Sequence, residues 1–212
     1  MSKLDDQVAI VTGAGRGVGK ATALKLAREG AKVVVNDLDL HVAKDTMSQI
    51  KELGGEATVI AGSVTESDFP KQLIRGALDV YNSIDIVVNN AGYIWNGAIH
   101  NHSDEQFQTM LDVHLCAPFK ILREFSAWLR PEAAKEIKVF GQAKCRKVVN
   151  ISSVSGTTGS ATQIAYSSAK AGIIGMTKTI AKEWGRYNVT SNCVAFGPID
   201  TRLTQALSLI HI

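Results

Sequence analysis

Residues 8–19 read VAIVTGAGRGVG, an apolar run rich in β-branched residues that is followed at once by a glycine-rich segment. A helical pattern begins directly afterwards, so the stretch predicts a strand–loop–helix corner. Glycine lets the backbone approach a pyrophosphate, whose charge is met by free amides and the positive end of the helix dipole. The spacing is GxxxGxG at Gly13, Gly17 and Gly19, since Val18 stands where a GxGxxG motif has its last glycine. The corner therefore predicts a nucleotide site, with a glycine-rich turn that binds no ligand as the alternative.

The rest of the chain alternates short β-branched runs with longer stretches of helical period. This pattern predicts an α/β fold of three layers, with helices on both faces of a doubly wound, mainly parallel sheet. The predicted strands are Val8–Thr12, Lys32–Asn36, Ala57–Ala61, Ile84–Asn89, Lys147–Ile151 and Thr190–Val194. The predicted helices are Gly17–Glu29, His41–Leu53, Ser67–Asn82, Ser103–Leu129 and Ala165–Tyr187, and Ser103 with Gln106 has the form of a capping box. Residues 131–147 exceed a usual connection of ~2–6 residues and are interpreted as an insertion, helical in its first half.

Composition and charge exclude several classes of protein. Of the 212 residues, 45% are hydrophobic and 20% charged, which indicates one globular domain, assigned to residues 1–206. The 23 basic and 20 acidic side chains are mixed along the chain, so we expect no nucleic-acid partner. Without an apolar leader or a run of ~18 apolar residues, we expect a cytoplasmic protein with no membrane partner. Three distant cysteines predict reduced thiols, and we expect no metal site.

An acidic residue follows the second predicted strand, where dinucleotide folds bind the adenosine ribose. Asp37 stands eighteen residues beyond Gly19. Its carboxylate can accept hydrogen bonds from both ribose hydroxyls, whereas it would repel a 2′-phosphate in a partly desolvated site. We therefore expect NAD as the cofactor, with NADP less favoured. Arg16 in the loop favours the opposite preference, because a guanidinium can bind a 2′-phosphate.

Ser153, Tyr166 and Lys170 supply the elements of a proton-transfer system around a carbonyl group. A tyrosine and a lysine four positions apart on a helix lie on one face, about one turn from each other. Tyrosine, with a pKa of ~10, is a poor base near neutrality, and each unit of depression requires roughly 1.4 kcal/mol of phenolate stabilisation. We expect a neighbouring ammonium and an oxidised nicotinamide to lower the tyrosine pKa. The alternative is an ordinary pair of side chains on a surface helix.

Five motifs occur in the order typical of one enzyme family. They are Thr12–Gly19, Asn89–Gly92, Ser153 placed thirteen residues before Tyr166, YSSAK at 166–170, and GPIDT at 197–201. In these motifs the chain resembles the short-chain dehydrogenases/reductases over nearly its whole length, and among them the 3-oxoacyl-acyl-carrier-protein reductase group. The resemblance implies a Rossmann fold and an alcohol, ketone or acyl-thioester substrate. For the full-length form it implies a homo-oligomer, a tetramer that pairs residues 103–129 and 165–187 with their copies.

The resemblance also implies a role for each motif residue. Tyr166 is then the general acid/base, Ser153 binds the substrate oxygen, and Lys170 binds the nicotinamide ribose while lowering the tyrosine pKa. Residues 90–92 line the adenosine side of the cofactor, and residues 199 and 201 meet the carboxamide. The full set expected to contact the cofactor is Gly13, Arg16, Gly17, Val18, Gly19, Asp37, Leu38, Val64, Asn90, Ala91, Gly92, Tyr166, Lys170, Ile199 and Thr201.

Three positions depart from the pattern of that family. Ser63 stands where an aspartate near the adenine is usual, so we expect weaker cofactor binding. His114 replaces an asparagine that helps to relay protons through water. Its imidazole either holds that water, with a pKa near ~6.5 that makes the relay pH-sensitive, or merely fills a helix contact. Phe196 replaces a proline and is expected to change only packing.

The end of the chain also departs from the family. After Ala206 the sequence ends in LSLIHI at 207–212, where the family continues with a final strand and a substrate-covering segment. The hexapeptide matches one reading frame of a transposon-end sequencing adapter, so we interpret it as non-native and expect the last strand and the lid to be missing. Because a lid governs substrate fit and water exclusion, such a chain would bind NAD poorly and catalyse little. A native amphipathic tail is the alternative, and the codons distinguish the two.

Two functions are compatible with the sequence. The first is an oxidoreductase that moves a hydride between the nicotinamide C4 and a secondary alcohol or ketone, with Tyr166 exchanging the proton. The second is a regulatory or scaffold protein that binds a dinucleotide without turnover, an alternative that Ser63 and His114 support. The complete set of Ser153, Tyr166 and Lys170 favours the enzyme. Residues 1–206 do not distinguish reduction of a 3-oxoacyl thioester from oxidation of a steroid, sugar or small alcohol.

Overall fold

Within residues 2–201, the sheet of the protein contains six strands that all run parallel. The computed structural model describes residues 2–201. The strands are β1 (Val8–Val11), β2 (Lys32–Val35), β3 (Ala57–Val59), β4 (Ile86–Asn89), β5 (Arg146–Ser153) and β6 (Val189–Phe196). Their order in the sheet is β3-β2-β1-β4-β5-β6, so the chain reverses direction across the sheet after β3. The predicted doubly wound α/β fold is confirmed, and the reversal leaves a crevice at the carboxyl ends of β1 and β4.

Helices cover both faces of this sheet. They are α1 (Gly17–Arg28), α2 (Leu40–Glu52), α3 (Phe69–Tyr81), α4 (Asp104–Leu111), α5 (Ala117–Phe140), the short α6 (Ser155–Thr158) and α7 (Ile164–Trp184). Ala9 and Val11 belong to the apolar cluster beneath α1 and α2, whereas Val8 and Ile10 belong to the cluster beneath α3, α5 and α7. All four side chains are buried, as expected when alternate residues of a central parallel strand face two helical layers.

One predicted helix is wrong, while the other predicted boundaries lie within one to three residues of the observed ones. Residues 103–129 do not form a continuous α-helix. The predicted capping box at Ser103 is present, with the Gln106 amide donating to the Ser103 hydroxyl at 3.2 Å. However, α4 ends at Leu111, and Asp112–Cys116 form a π-helical turn before α5 begins. Such a wider turn changes the face that the following helix presents, and a spacing of three and four residues does not reveal it.

The predicted insertion at 131–147 lengthens α5. This helix continues through Pro131 to Phe140, so the first half of the insertion is helical, as expected. Gly141 ends the helix at a φ of 78°, in the left-handed conformation that favours glycine at this position. Residues 131–140 therefore add helical turns to α5 and leave a short connection to β5, while their origin as an insertion stays a prediction.

A buried ion pair attaches the extended helix to the sheet. The Arg146 guanidinium, at the start of β5, donates hydrogen bonds of 2.9 and 2.6 Å to the two carboxylate oxygens of Glu136. The amide of Lys144 donates to the same carboxylate at 2.9 Å, and the Trp128 ring lies 5.1 Å from the guanidinium carbon. Both charged side chains are almost fully buried, with exposed fractions of 1% for Arg146 and 7% for Glu136. The carboxylate thus holds the end of α5 and the connection that follows it against the first residue of β5.

Several expectations concern residues that the structure does not describe. The interpreted tail at 207–212, the end of the domain at residue 206, and the expected loss of a final strand and lid all lie outside residues 2–201. Within residues 2–201, no helix combines the length and the apolar character needed to cross a bilayer. The thiols of Cys116, Cys145 and Cys193 are all free, as predicted.

Candidate active site

The glycine-rich corner lines a cavity of about 550 Å³ at the carboxyl ends of β1 and β4. Gly13 and Gly17 adopt φ values of 61° and 53°, in the left-handed region. A Cβ atom at Gly19 would lie 2.1 Å from the carbonyl oxygen of Gly13, so the corner requires glycine there. Arg16, the N-cap residue of α1, makes no side-chain capping bond within the described part of the chain. The first amides of α1 can therefore bind a ligand, and the helix dipole favours an anion.

Thr12 and Asn90 fix this corner against the end of β4. The Asn90 side-chain amide donates to the carbonyl oxygens of Thr12 and Gly13, at 2.9 and 3.1 Å. The Thr12 hydroxyl accepts hydrogen bonds from the amides of Asn90 and Ala91, each at 3.0 Å. The supporting role of Thr12 was not predicted, and its signal in the sequence is its place between the apolar strand and the first glycine.

Asp37 is the acidic side chain that lines this cavity. Its two carboxylate oxygens accept hydrogen bonds from backbone amides, Oδ2 from Gly15 at 2.9 Å and Oδ1 from Asp39 at 3.2 Å. A carboxylate has about four acceptor positions, so capacity for ligand hydroxyls is left. Leu38, Ser63 and Val64 line the same cavity. The weaker cofactor binding expected from Ser63 stays a prediction.

A second cavity of about 350 Å³ adjoins the first and contains the predicted catalytic residues. Ser153 lies at the end of β5, and Tyr166 and Lys170 lie one turn apart on α7. The Lys170 ammonium donates to the carbonyl oxygen of Ile151 at 2.6 Å and lies 5.5 Å from the centre of the Tyr166 ring. The Ser153 hydroxyl accepts a hydrogen bond from the amide of Ser155 at 3.2 Å. The two cavities are neighbours, since both are lined by Val18, Asn90, Gly92, Tyr93 and Thr201.

Close packing of β5, α6 and α7 determines where Lys170 sits. The Ser152 hydroxyl donates to the backbone carbonyl of Lys170 at 2.7 Å. A Cβ atom at Gly156 would lie 2.6 Å from the carbonyl carbon of Lys170, so α6 and α7 approach each other at a glycine. These contacts fix the position of α7 relative to the end of β5. They therefore set the distance between Lys170 and Ser153.

Burial dominates the acid–base properties of the catalytic residues. It raises the pKa of the Tyr166 phenol, and the nearby Ser153 side chain opposes this effect only in part. Burial also lowers the pKa of the Lys170 ammonium to about 8. In the protein by itself desolvation of the phenolate is the larger effect, and the lowering expected from Lys170 together with an oxidised nicotinamide stays a prediction. At neutral pH the phenol is protonated and can donate its proton.

His114 lies in the π-helical turn, with its ring edge-on to Tyr166 at 5.0 Å between centres. Burial, reinforced by the charge of Lys170, lowers the pKa of this histidine to about 3. The expected pKa near 6.5, and with it a relay that titrates near neutrality, is wrong. The neutral ring places Nε2 2.6 Å from the carbonyl oxygen of Tyr93, so Nε2 carries the proton. The imidazole therefore does fill a helix contact, and Nδ1 is a buried acceptor without a hydrogen-bond partner in residues 2–201. A water on Nδ1 stays a prediction.

Replacing His114 with asparagine is expected to make the fold less sensitive to acid. In the unfolded chain a histidine is protonated below its ordinary pKa of 6.5, whereas folded His114 stays neutral down to about pH 3. Its folded pKa is the lower one, so stability is lost as the pH falls below 6.5, by about 2 kcal/mol at pH 5. Urea unfolding of the wild type and His114→Asn at pH 7 and pH 5 measures this difference. The exposed residue His41 offers the control His41→Asn, and the same pH dependence in all three proteins would contradict the buried neutral state.

All the residues that the sequence assigned to the site line one of the two cavities. Asn36, Tyr93 and Gln163 also line them and were not predicted. The signal for Asn36 and Tyr93 is their position next to motif residues, whereas Gln163 follows no motif that was recognised. Phe196 lines the second cavity, and its carbonyl accepts the amide of Val154 at 2.9 Å. Within residues 2–201 there is no group of three or more potential metal ligands.

A parallel sheet that reverses beside a glycine-rich corner, with serine, tyrosine and lysine at the adjoining cavity, defines a dinucleotide-binding protein of the Rossmann class. Residues 7–209 match the short chain dehydrogenase family. The 3-oxoacyl-[acyl-carrier-protein] reductase of Synechocystis sp. is 41% identical over 98% of this chain and 80% of its own length. A hydroxyacyl-CoA dehydrogenase of Mycobacterium tuberculosis is 38% identical over 90% of this chain and 61% of its own. The chain belongs to the short-chain dehydrogenase family of oxidoreductases.

Solved structures of the family share this architecture. A short chain dehydrogenase from Mycobacterium avium has a TM-score of 0.84 at 38% identity, covering 92% of this chain and 68% of that one. The family uses NAD(P) cofactors, and three features of this chain fit such a dinucleotide. They are the uncapped amide end of α1, the tight corner that requires glycine at position 19, and the two neighbouring cavities that share five lining residues.

Proposed function

We propose that the protein interconverts a secondary alcohol and a ketone with NAD(H), and that its substrates are 3-oxoacyl or 3-hydroxyacyl thioesters. The observation that carries this proposal is that the glycine-rich cavity shares five lining residues with the cavity of Ser153, Tyr166 and Lys170. The substrate class is supported by two relatives, named as a 3-oxoacyl reductase and a hydroxyacyl-CoA dehydrogenase, since these names describe opposite directions of one kind of reaction.

Residues along both cavities would hold the cofactor. The amides at the start of α1 would bind the pyrophosphate. Asp37 would accept hydrogen bonds from the adenosine ribose hydroxyls, which favours NAD over NADP. Lys170 would bind the nicotinamide ribose, and Ile199 and Thr201 would meet the carboxamide. When bound, the nicotinamide supplies or accepts a hydride at its C4 atom.

The proposed chemistry of the protein is the movement of one proton. In the reducing direction, the Ser153 hydroxyl donates a hydrogen bond to the substrate carbonyl oxygen. The Tyr166 phenol would transfer its proton to that oxygen, and in the oxidising direction the phenolate would take a proton back. Lys170, with a pKa of about 8, is mainly cationic at neutral pH and stabilises the phenolate that forms. Because burial raises the pKa of the phenol, Tyr166 stays protonated until it donates its proton to the substrate oxygen.

Initial rates of reduced-dinucleotide consumption test this proposal. We expect kcat/KM to be highest for a 3-oxoacyl thioester with NADH, compared with simple ketones, a ketosteroid and a sugar ketone, and with NADPH. Faster turnover with NADPH would contradict the role given to Asp37. Tight dinucleotide binding without turnover on any substrate of the panel, in either direction, would favour the alternative of a non-catalytic dinucleotide-binding protein.

A further inference from the structure

Arg16 is the cation among the residues that line the glycine-rich cavity. Its side chain is 49% exposed, and its backbone is extended, with φ −148°, at the residue before α1. A guanidinium here is the natural partner for an extra phosphate on the adenosine ribose, because it binds phosphate oxygens in a bidentate fashion. The preference for NAD that we propose therefore requires an interaction that keeps the Arg16 guanidinium from binding a 2′-phosphate.

Asp39 lies close enough to Arg16 to form an ion pair with its guanidinium. Its Oδ2 atom lies 3.6 Å from Nη2 of Arg16. Its Oδ1 atom accepts the amide of His41 at 2.9 Å, which makes Asp39 the N-cap of α2, and its own amide donates to Asp37 at 3.2 Å. The Asp39 side chain is also half exposed, at 50%, but the backbone at the start of α2 holds its carboxylate, whereas the Arg16 side chain is long. The Asp39 carboxylate therefore determines where the ion pair forms, and the Arg16 side chain adopts a conformation that reaches it.

We propose that Asp39 is a second determinant of dinucleotide preference, which holds Arg16 in an ion pair and so withholds it from a 2′-phosphate. This inference rests on the proposed function, because it concerns the same cofactor site. Asp37 repels the extra phosphate directly, and Asp39 acts through Arg16. Asp39 is a positioning residue, since it does not line either cavity. Replacing Asp39 should leave the affinity for NAD unchanged and allow Arg16 to bind the 2′-phosphate of NADP.

Equilibrium titration of NAD and NADP with four proteins tests the proposal: the wild type, Asp39→Asn, Arg16→Ala and the double variant. Asparagine is as good an N-cap as aspartate, so α2 keeps its cap. We expect Asp39→Asn to strengthen NADP binding about fivefold, as the loss of an exposed ion pair allows, with the dissociation constant of NAD unchanged. In the double variant the gain should disappear, because Arg16 is the group that makes it.

Asp45→Asn is the matched control. It also removes one negative charge from α2 and breaks an ion pair with α1, the 2.7 Å contact of Asp45 with Lys20, and neither residue lines a cavity. Its preference for NAD over NADP should equal that of the wild type. An unchanged preference in Asp39→Asn, or a gain that persists in the double variant, overturns the inference and leaves the proposed function intact. Absence of binding of either dinucleotide to the wild type overturns both.

Discussion

Tyr166→Phe is expected to lower kcat by about 10²–10⁴-fold, the contribution typical of a positioned general acid. Phenylalanine keeps the ring that is buried against His114 and Lys170, with centre-to-centre and ammonium-to-centre distances of 5.0 and 5.5 Å, so the fold and the cofactor cavity are retained. Only the phenolic proton is lost. Steady-state kinetics with the best substrate, together with a titration of NADH, separates the loss of turnover from any loss of binding.

Tyr187→Phe is the control for this variant. Tyr187 is half-buried in the short helical turn after α7, lies outside both cavities, and contacts Arg186 through its ring. Tyr187→Phe also removes a phenolic hydroxyl, but one that lies outside the site, so we expect the kcat of the wild type. A Tyr166→Phe variant that turns over as fast as Tyr187→Phe would show that the proton comes from another group.

Glu136→Gln is expected to lower the free energy of unfolding by about 3–5 kcal/mol, because it leaves the Arg146 guanidinium buried and without a charged partner. The pair is almost fully buried and bidentate, at 2.9 and 2.6 Å. Arg146 holds the pKa of Glu136 below its ordinary value of 4.5, so the carboxylate contributes its stability above that pH and loses it as the solution becomes more acidic. Urea unfolding at pH 7 measures the full effect.

Glu132→Gln provides the comparison from the same helix, one turn earlier. Its carboxylate meets Lys135 at 3.3 Å on the surface, where the lysine is 74% exposed. Removing this pair is expected to change the unfolding free energy by less than about 1 kcal/mol. Equal losses in the two variants would mean that burial of the Glu136 pair has no special weight in the stability of α5.

Most of the fold could be predicted because the sheet is parallel and buried on both faces. Strands such as β1 then appear as short continuous apolar runs between helices, and the glycine corner marks the first crossover. Helix geometry inside residues 103–140 could not be predicted in the same way. The π-helical turn at Asp112–Cys116 keeps the apolar spacing of a helix, and Pro131 lies inside α5 although proline usually interrupts a helix.

The placement of Ser153, Tyr166 and Lys170 at one cavity could be predicted because two motifs carry these residues. Properties that depend on the surroundings of a residue could not be predicted. The pKa of Tyr166 and that of His114 are governed by burial, which follows from how α4, α7 and the loop after β4 close together. Asp39 was missed although it stands directly before a helix, because its contact with Arg16 joins two separate βα corners.

Transfer of deuterium to the substrate from NADH that carries deuterium at both C4 positions tests the proposed function most directly. Single turnovers of the wild type and Tyr166→Phe on a 3-oxoacyl thioester are followed by mass spectrometry of the product. We expect one deuterium on the new carbinol carbon with the wild type, and the same labelled product formed far more slowly with Tyr166→Phe. Absence of labelled alcohol from the wild type, with NADH bound, would contradict an oxidoreductase that works through Tyr166.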